Sequence, residues 1–309
     1  MNIQRLLKAS ASALLTETYS RFAKQLPGRK VVLCFHSVHP SATHSTIHPD
    51  AFARILAWLA ENVDLMPIDR LLSCDRRANA KPAVALTFDD GHLDNLTHAL
   101  PIAQRYGTNF CVYVPVGLLE RDPRTRKRFT AVLRQPEDSE NDFESLSWKD
   151  AEILIEHGCS IGSHTWDHPM LSHLSDQGIE YQLSESKRII EERLGQKQIG
   201  IAYPYGKLNR QVDDRVIKAT ERLGYTYGLC VEHRAIASSD SVFSIPRIII
   251  NHSNIDRLRN QVFGAEDYHG HISRMMPGFV ARWISPADFH EPTFALPAAQ
   301  GPDEPFDHQ

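Results

Sequence analysis

Seven short runs of β-branched and aromatic residues recur along this chain, with segments of helical apolar spacing between them. The runs are "KVVLCFH" (30–36), "PAVALTF" (82–88), "NFCVYV" (109–114), "CSIGSH" (159–164), "IGIAYP" (199–204), "YTYGL" (225–229) and "FSIPRIII" (243–250). The helical segments are residues 50–62, 93–107, 147–158, 175–195 and 209–224, several of which end at Gly, a common helix stop. Strands joined by helical crossovers pair in parallel, so the pattern predicts an α/β fold, either a barrel or a doubly wound sheet. It also says where function belongs: such folds gather functional residues at the C-terminal ends of their strands.

Five polar residues stand at or just after such ends: His36, Asp89, Asp90, His164 and Tyr205. The stretch "ALTFDDGHLDN" (85–95) sets two carboxylates side by side at the exit of an apolar run. Like charges that close repel. Either this is a plain polar turn, or the two acids have different partners. "GSHTWDHPML" (162–171) places His164 and His168 four residues apart, and one helical turn or a tight loop brings both to one side. Two histidines and one carboxylate suffice to hold a catalytic Zn2+ or similar cation with a position left open. Asp90, from another strand end, completes that set. In "IAYPYGKLN" (201–209), Pro204 and Gly206 mark a tight turn that aims the Tyr205 N–H into the cleft, where it can bind an oxyanion. Taken alone, that stretch reads more simply as a structural turn.

Together, "TFDDG" (87–91), "HTWDH" (164–168) and "AYPYG" (202–206) resemble the motifs of the polysaccharide deacetylase (NodB-homology) family, carbohydrate esterase family four. The third is most similar to the poly-N-acetylglucosamine deacetylase-like branch, and the resemblance spans roughly residues 30–250. It implies a distorted (β/α)7 barrel in a single domain. It implies one divalent metal ion, Zn2+ first with Co2+ or Ni2+ as alternatives, held by Asp90, His164 and His168. Asp89 is then the general base, drawing a proton from a metal-held water that attacks the N-acetyl amide of an amino-sugar glycan or glycan precursor. The alternative is hydrolysis of a small non-glycan amide on the same fold. An inactive sugar-binding relative is a third reading, and the retained Asp89 argues against it.

The sequence departs from the family pattern in places. Ala202 stands where many members carry an arginine able to tether the base, and Arg247 in "SIPRIII" is the expected replacement. Arg247 is also grouped with Trp166, Tyr203 and Pro204 as substrate-binding. A late "LxxH" general-acid motif is missing. "LCFHSV" (33–38) resembles the permuted "YHxV"-like segment of the branch, which makes His36 the general acid in preference to His252. His92 replaces a frequent aromatic and either lines the cleft or caps the next helix. Trp166 either stacks on a sugar or is buried against its own loop.

The remaining segments frame this unit. Residues 1–29 read as an amphipathic N-terminal helix, 30–265 as the catalytic domain and 266–309 as a flexible extension. Residues 117–146, containing "RDPRTRKR", read as an irregular charged insertion or lid, more readily a solvated loop than a contact for an anionic substrate. The five cysteines are scattered without a CxxC pair, as expected of buried thiols in a reducing compartment. The N-terminus lacks a continuous apolar core, so neither a signal peptide nor a membrane span is expected. The expected location is cytoplasmic, with peripheral membrane association through the N-terminal helix as an option. A formal net charge of −4 gives no reason to expect nucleic-acid binding.

Overall fold

The structure, a computed structural model, describes residues 28–41, 45–76, 80–133, 144–265 and 267. All seven expected runs form parallel strands: β1 (Lys30–Phe35), β2 (Ala83–Phe88), β3 (Cys111–Val114), β4 (Ser160–Ser163), β5 (Ile201–Ala202), β6 (Gly228–Val231) and β7 (Ile245–Ile249). Strand β1 pairs with β2 on one side and β7 on the other, so the sheet closes on itself. That closure settles barrel against open sheet: the fold is a distorted (β/α)7 barrel. The distortion is visible in the register. Strands β1 and β2 pair over six residues from Lys30↔Ala83 to Phe35↔Phe88, whereas β4 and β5 meet only at Ser163↔Ile201. A short extra strand, Asp64–Leu65, lies beside the N-terminal half of β2.

The period of two along each strand builds two separate cores. Outward residues such as Val31, Leu33, Phe35, Val84, Leu86, Phe88, Val112 and Val114 pack under the helices. Inward residues such as Val32, Ala83, Ala85, Cys111, Tyr113, Ala202, Tyr227 and Leu229 fill the barrel. Small alanines on β2 make room for Tyr113 and Tyr227, whose hydroxyls meet at 2.9 Å. Gly162 has the same cause: a Cβ there would overlap the Tyr113 ring. Continuing the inward series of β2 past Ala83 and Ala85 gives Thr87 and then Asp89. The barrel axis therefore changes from apolar to polar at its C-terminal mouth.

The local chemistry explains the helix boundaries. Helix Trp148–Glu156 starts at a capping box of Ser147 and Asp150, and helix Asp176–Leu194 at a Ser175 cap. The segment expected as a helix from 209 begins instead at Asp214, because Asp213 accepts from the Arg215 and Val216 N–H groups and caps it there. Strand β6 begins three residues later than "YTYGL" suggests, since the Tyr225 N–H closes the preceding helix end on Thr220 O. The 93–107 segment opens with a wide turn over Asn95–Ala99 before regular helix at Leu100–Arg105.

The irregular loop expected at 117–146 needs correction. Val116–Leu119 and Pro123–Leu133 are helices, the second started by Asp122, whose carboxylate accepts from the Arg124 and Thr125 N–H groups. Almost all of the N-terminal helix expected at 1–29, and nearly all of the extension from 266, lie outside the described residues. Among the described residues no helix is long and apolar enough to cross a membrane. All five cysteines are free, and four of them are buried.

Candidate active site

Asp89 extends β2 by one residue, its N–H donating to Phe35 O at 2.9 Å, and its carboxylate points into the polar mouth of the barrel. There it meets Arg247 from β7 in a two-pronged pair: Nη1 donates to Oδ1 and Nη2 to Oδ2, both at 2.7 Å. Both side chains are sealed from solvent, Arg247 at 0% exposure and Asp89 at 4%. Burial alone raises a carboxyl pKa, but the Arg247 charge, helped by His164, outweighs it and holds Asp89 well below the ordinary carboxylate range. Arg247 in turn lies over the Tyr113 ring, 5.8 Å from its centroid. It is thus the tether expected in place of the arginine missing at Ala202. Its full burial behind Asp89 corrects its grouping with the substrate-binding residues.

The chain then turns sharply. Asp90 and Gly91 both adopt left-handed backbone, φ 74° and 64°. Two such residues in succession swing the Asp90 side chain away from Asp89, which is how adjacent acids acquire different partners. Asp90 Oδ1 lies 3.5 Å from His164 Nε2 and 3.6 Å from His168 Nε2. The histidines do not share a helical turn; they sit on a loop after β4. Thr165 and His168 are held at φ 68° and 59°, with the Thr165 hydroxyl accepting from the His168 N–H. Of the six non-glycine residues with positive φ among those described, Asp90, Thr165, His168 and Tyr205 belong to this mouth. Each such conformation costs about 1–3 kcal/mol, a strain that concentrates at functional sites.

The donor set fits a divalent cation. Among the described residues, the buried Asp90 Oδ1 has no hydrogen-bond partner, an expensive arrangement for a carboxylate unless a cation or proton meets it. Two ligand atoms on a tetrahedral Zn2+ are separated by about 3.4 Å, close to the spacings seen. His164 Nδ1 donates to Ala202 O at 2.6 Å, which leaves Nε2 as the lone-pair nitrogen facing the cluster. Burial lowers the His164 pKa to about 4 and, with the His164 charge, holds that of His168 well below the ordinary histidine range, which favours the neutral rings a metal requires. Burial, followed by the Asp89 charge, raises Asp90 well above its usual range, as expected of a carboxylate awaiting a counter-charge.

His36, half-buried just past β1, has a ring nitrogen within 4.8 Å of an Asp89 oxygen and the Cys34 sulfur. Burial lowers its pKa, with Asp89 opposing. His252 turns instead toward Gln261, Nε2 to Oε1 at 3.1 Å. The Tyr205 ring packs 4.9 Å from that of His168. Its phenol is pushed up to about 12 by burial and then by Asp90. Tyr203 belongs to the outer core: it is wholly buried, and its hydroxyl donates to Phe243 O. The expectation that its side chain binds substrate is therefore corrected, and Pro204 beside it is buried too. Trp166 is half-buried, its ring beside Tyr181 and its side chain hydrogen-bonded with Asp122. His92 lines the mouth, 3.9 Å from Asp90 Oδ2.

Several contributors lie outside the motifs. Cys34, the inward residue before His36, is 3.4 Å from Asp89 Oδ2 as a thiol donor. Asp94 accepts from Ser37 Oγ and the Val38 N–H, and Asn95 Nδ2 donates to His36 O, so together they pin the loop that carries His36. Gln182 Oε1 accepts from the Trp166 and Asp167 N–H groups and braces the histidine loop. The inward alternation on β1 was the signal for Cys34. The other contacts span loops whose proximity no local pattern encodes.

A family model described as polysaccharide deacetylase matches residues 76–228. YxkH of Bacillus subtilis is 25% identical over 239 residues, 76% of this chain and 76% of that protein. The poly-beta-1,6-N-acetyl-D-glucosamine N-deacetylase of Staphylococcus aureus (strain MRSA252) is 23% identical over 266 residues, covering 82% of this chain and 83% of that one. Among solved structures, the Streptococcus pyogenes deacetylase PplD shares the fold with a TM-score of 0.62 at 24% identity, over 77% of this chain and 99% of that one.

Proposed function

The chain belongs to the polysaccharide deacetylase family, hydrolases of carbon–nitrogen bonds other than peptide bonds, and on that premise we propose that it deacetylates an N-acetylated amino-sugar glycan or glycan precursor. The observation that carries this reading is the pairing of an arginine-clamped carboxylate with an adjacent donor triad whose buried oxygen has no hydrogen-bond partner among the described residues. A divalent cation bound by Asp90, His164 and His168, with Zn2+ the first choice for such donors, supplies Lewis acidity toward the amide carbonyl.

The protein's own groups do the rest. Asp89 stays ionised through the working range because Arg247 occupies both its oxygens in one plane. Its outward lone pairs accept a proton from water as the water oxygen bonds to the carbonyl carbon. Such a base is weak in the ground state and gains strength as the attacking water becomes acidic in the transition state. The Tyr205 N–H, on its left-handed turn, is the donor assigned to the developing oxyanion. His36 is assigned the proton that goes to the departing nitrogen, since an amide nitrogen leaves poorly as an anion. Breakage of the C–N bond then yields acetate and the free amine.

Acetate release from chitotetraose, with and without a chelator, tests the proposal. The wild-type protein loses release on chelation, and Asp89→Asn loses it while retaining bound metal. Undiminished release by either would overturn the reading.

A further inference from the structure

The insertion is anchored to both halves of the site. At its start the Val116 and Gly117 N–H groups donate to Thr165 O and Trp166 O; at its end the Leu146 N–H donates to Gly91 O. Between them the helix Pro123–Leu133 buries Thr125 and Phe129, and the Phe129 ring lies 5.5 Å from that of the metal-site His168. Residues 121–128, "RDPRTRKR", carry five cations and one acid in a chain of net charge −4. The acid, Asp122, is engaged as the helix cap. Arg128 pairs with Asp167, next to His168, at 2.9 Å and remains 29% exposed. Its charge also reaches the Tyr205 phenol. Arg124 lies one turn earlier on the same flank, about 6 Å along the axis. Lys127 projects from the side opposite the buried Thr125–Phe129 stripe. Among the described residues, Arg124, Arg126 and Lys127 form no ion pair.

We propose that Arg124 and Arg128 form an anion subsite beside the reaction centre, so that the glycan deacetylated here bears a carboxylate or phosphate near its N-acetyl sugar. Guanidinium groups suit both oxyanions, which they bind through paired N–H donors. This inference rests on the deacetylase reading and narrows its substrate class. A net acidic chain that groups four cations on a helix seated against a metal ligand gives an anionic substrate a directed approach.

The test compares KM on three probes: neutral chitotetraose, a muramoyl-containing peptidoglycan disaccharide dimer with its lactyl carboxylates free or methyl-esterified, and UDP-N-acetylglucosamine. Arg124→Glu raises KM about five-fold on an anionic probe, with kcat and the neutral probe unchanged. Lys127→Glu has little effect. The free-acid dimer responding but not its ester identifies a carboxylate; UDP-N-acetylglucosamine responding identifies a phosphate. Equal effects on charged and neutral probes, or no effect on any, would overturn the subsite. Binding of the same probes to Asp89→Asn at low and high salt scores the charge preference independently of turnover. Absence of acetate from every probe with that preference intact would therefore count against the deacetylase reading alone.

Discussion

Replacing Arg247 with Met removes one partner of a pair that has no access to water and leaves Asp89 buried beside the thiol of Cys34 and the neighbouring rings of His36 and His164. Breaking a buried ion pair from one side costs about 3–5 kcal/mol, which for a domain of this size lowers Tm by roughly 6–20 °C. Asp89→Asn strands the arginine and costs a similar amount, but the double variant removes both charges. Its loss is expected to fall well short of the sum of the two single losses. The pH dependence has a definite sign. Arg247 holds the folded pKa of Asp89 below its unfolded value of about 3.9, so the pair's stabilisation is complete above that value and is lost as pH falls toward the folded pKa. In Arg247→Met the largest charge opposing burial is gone, so the same carboxyl rises. The Tm gap between the two proteins therefore narrows as pH drops from 7 to below 4. Thermal denaturation across that range, with acetate release at pH 7, measures both effects. A variant that unfolds within 2 °C of wild type and keeps its turnover would refute the argument that this pair orients the base.

His164→Ala and His168→Ala are each expected to lose bound metal while staying folded; unchanged metal content by elemental analysis would place the cation elsewhere. His36→Ala should lower kcat at least 100-fold with metal content intact, in line with the contribution of a general acid, and indifference would return that role to His252. Gly162→Ala should cost about 1–3 kcal/mol by overpacking the barrel axis against Tyr113. Made in a Tyr113→Val background, the same glycine change should cost less, as urea unfolding of the full double-mutant cycle would show. An equal cost in both backgrounds would mean that the clash lies elsewhere.

Local pattern was enough for the strands, their parallel sense and the location of function at their C-terminal ends, because short β-rich runs alternate with segments of helical apolar spacing. The same reading found Asp89, Asp90, His164 and His168, since strand ends expose polar residues at fixed offsets. Where it erred, a single residue or contact intervened. Asp213 capped a helix five residues later than periodicity suggested. Asp122 turned a basic stretch with little apolar content into a helix. Tyr203 looked like a cleft residue and instead fills the outer core.

Closure of the barrel belongs to tertiary structure. Seven alternating units fit an open sheet equally well, and only the pairing of β1 with both β2 and β7 joins the edges. That closure sets Arg247 against Asp89 across 158 residues of chain, and no local spacing specifies such a meeting. The sequence by itself determined which groups are available: two acids, two histidines and an arginine far downstream. The fold decided which acid takes the arginine and which stands among the histidines, through the left-handed turn at Asp90 and Gly91. Charge at that mouth is long-range and depends on burial, so its partition is a property of the assembled barrel.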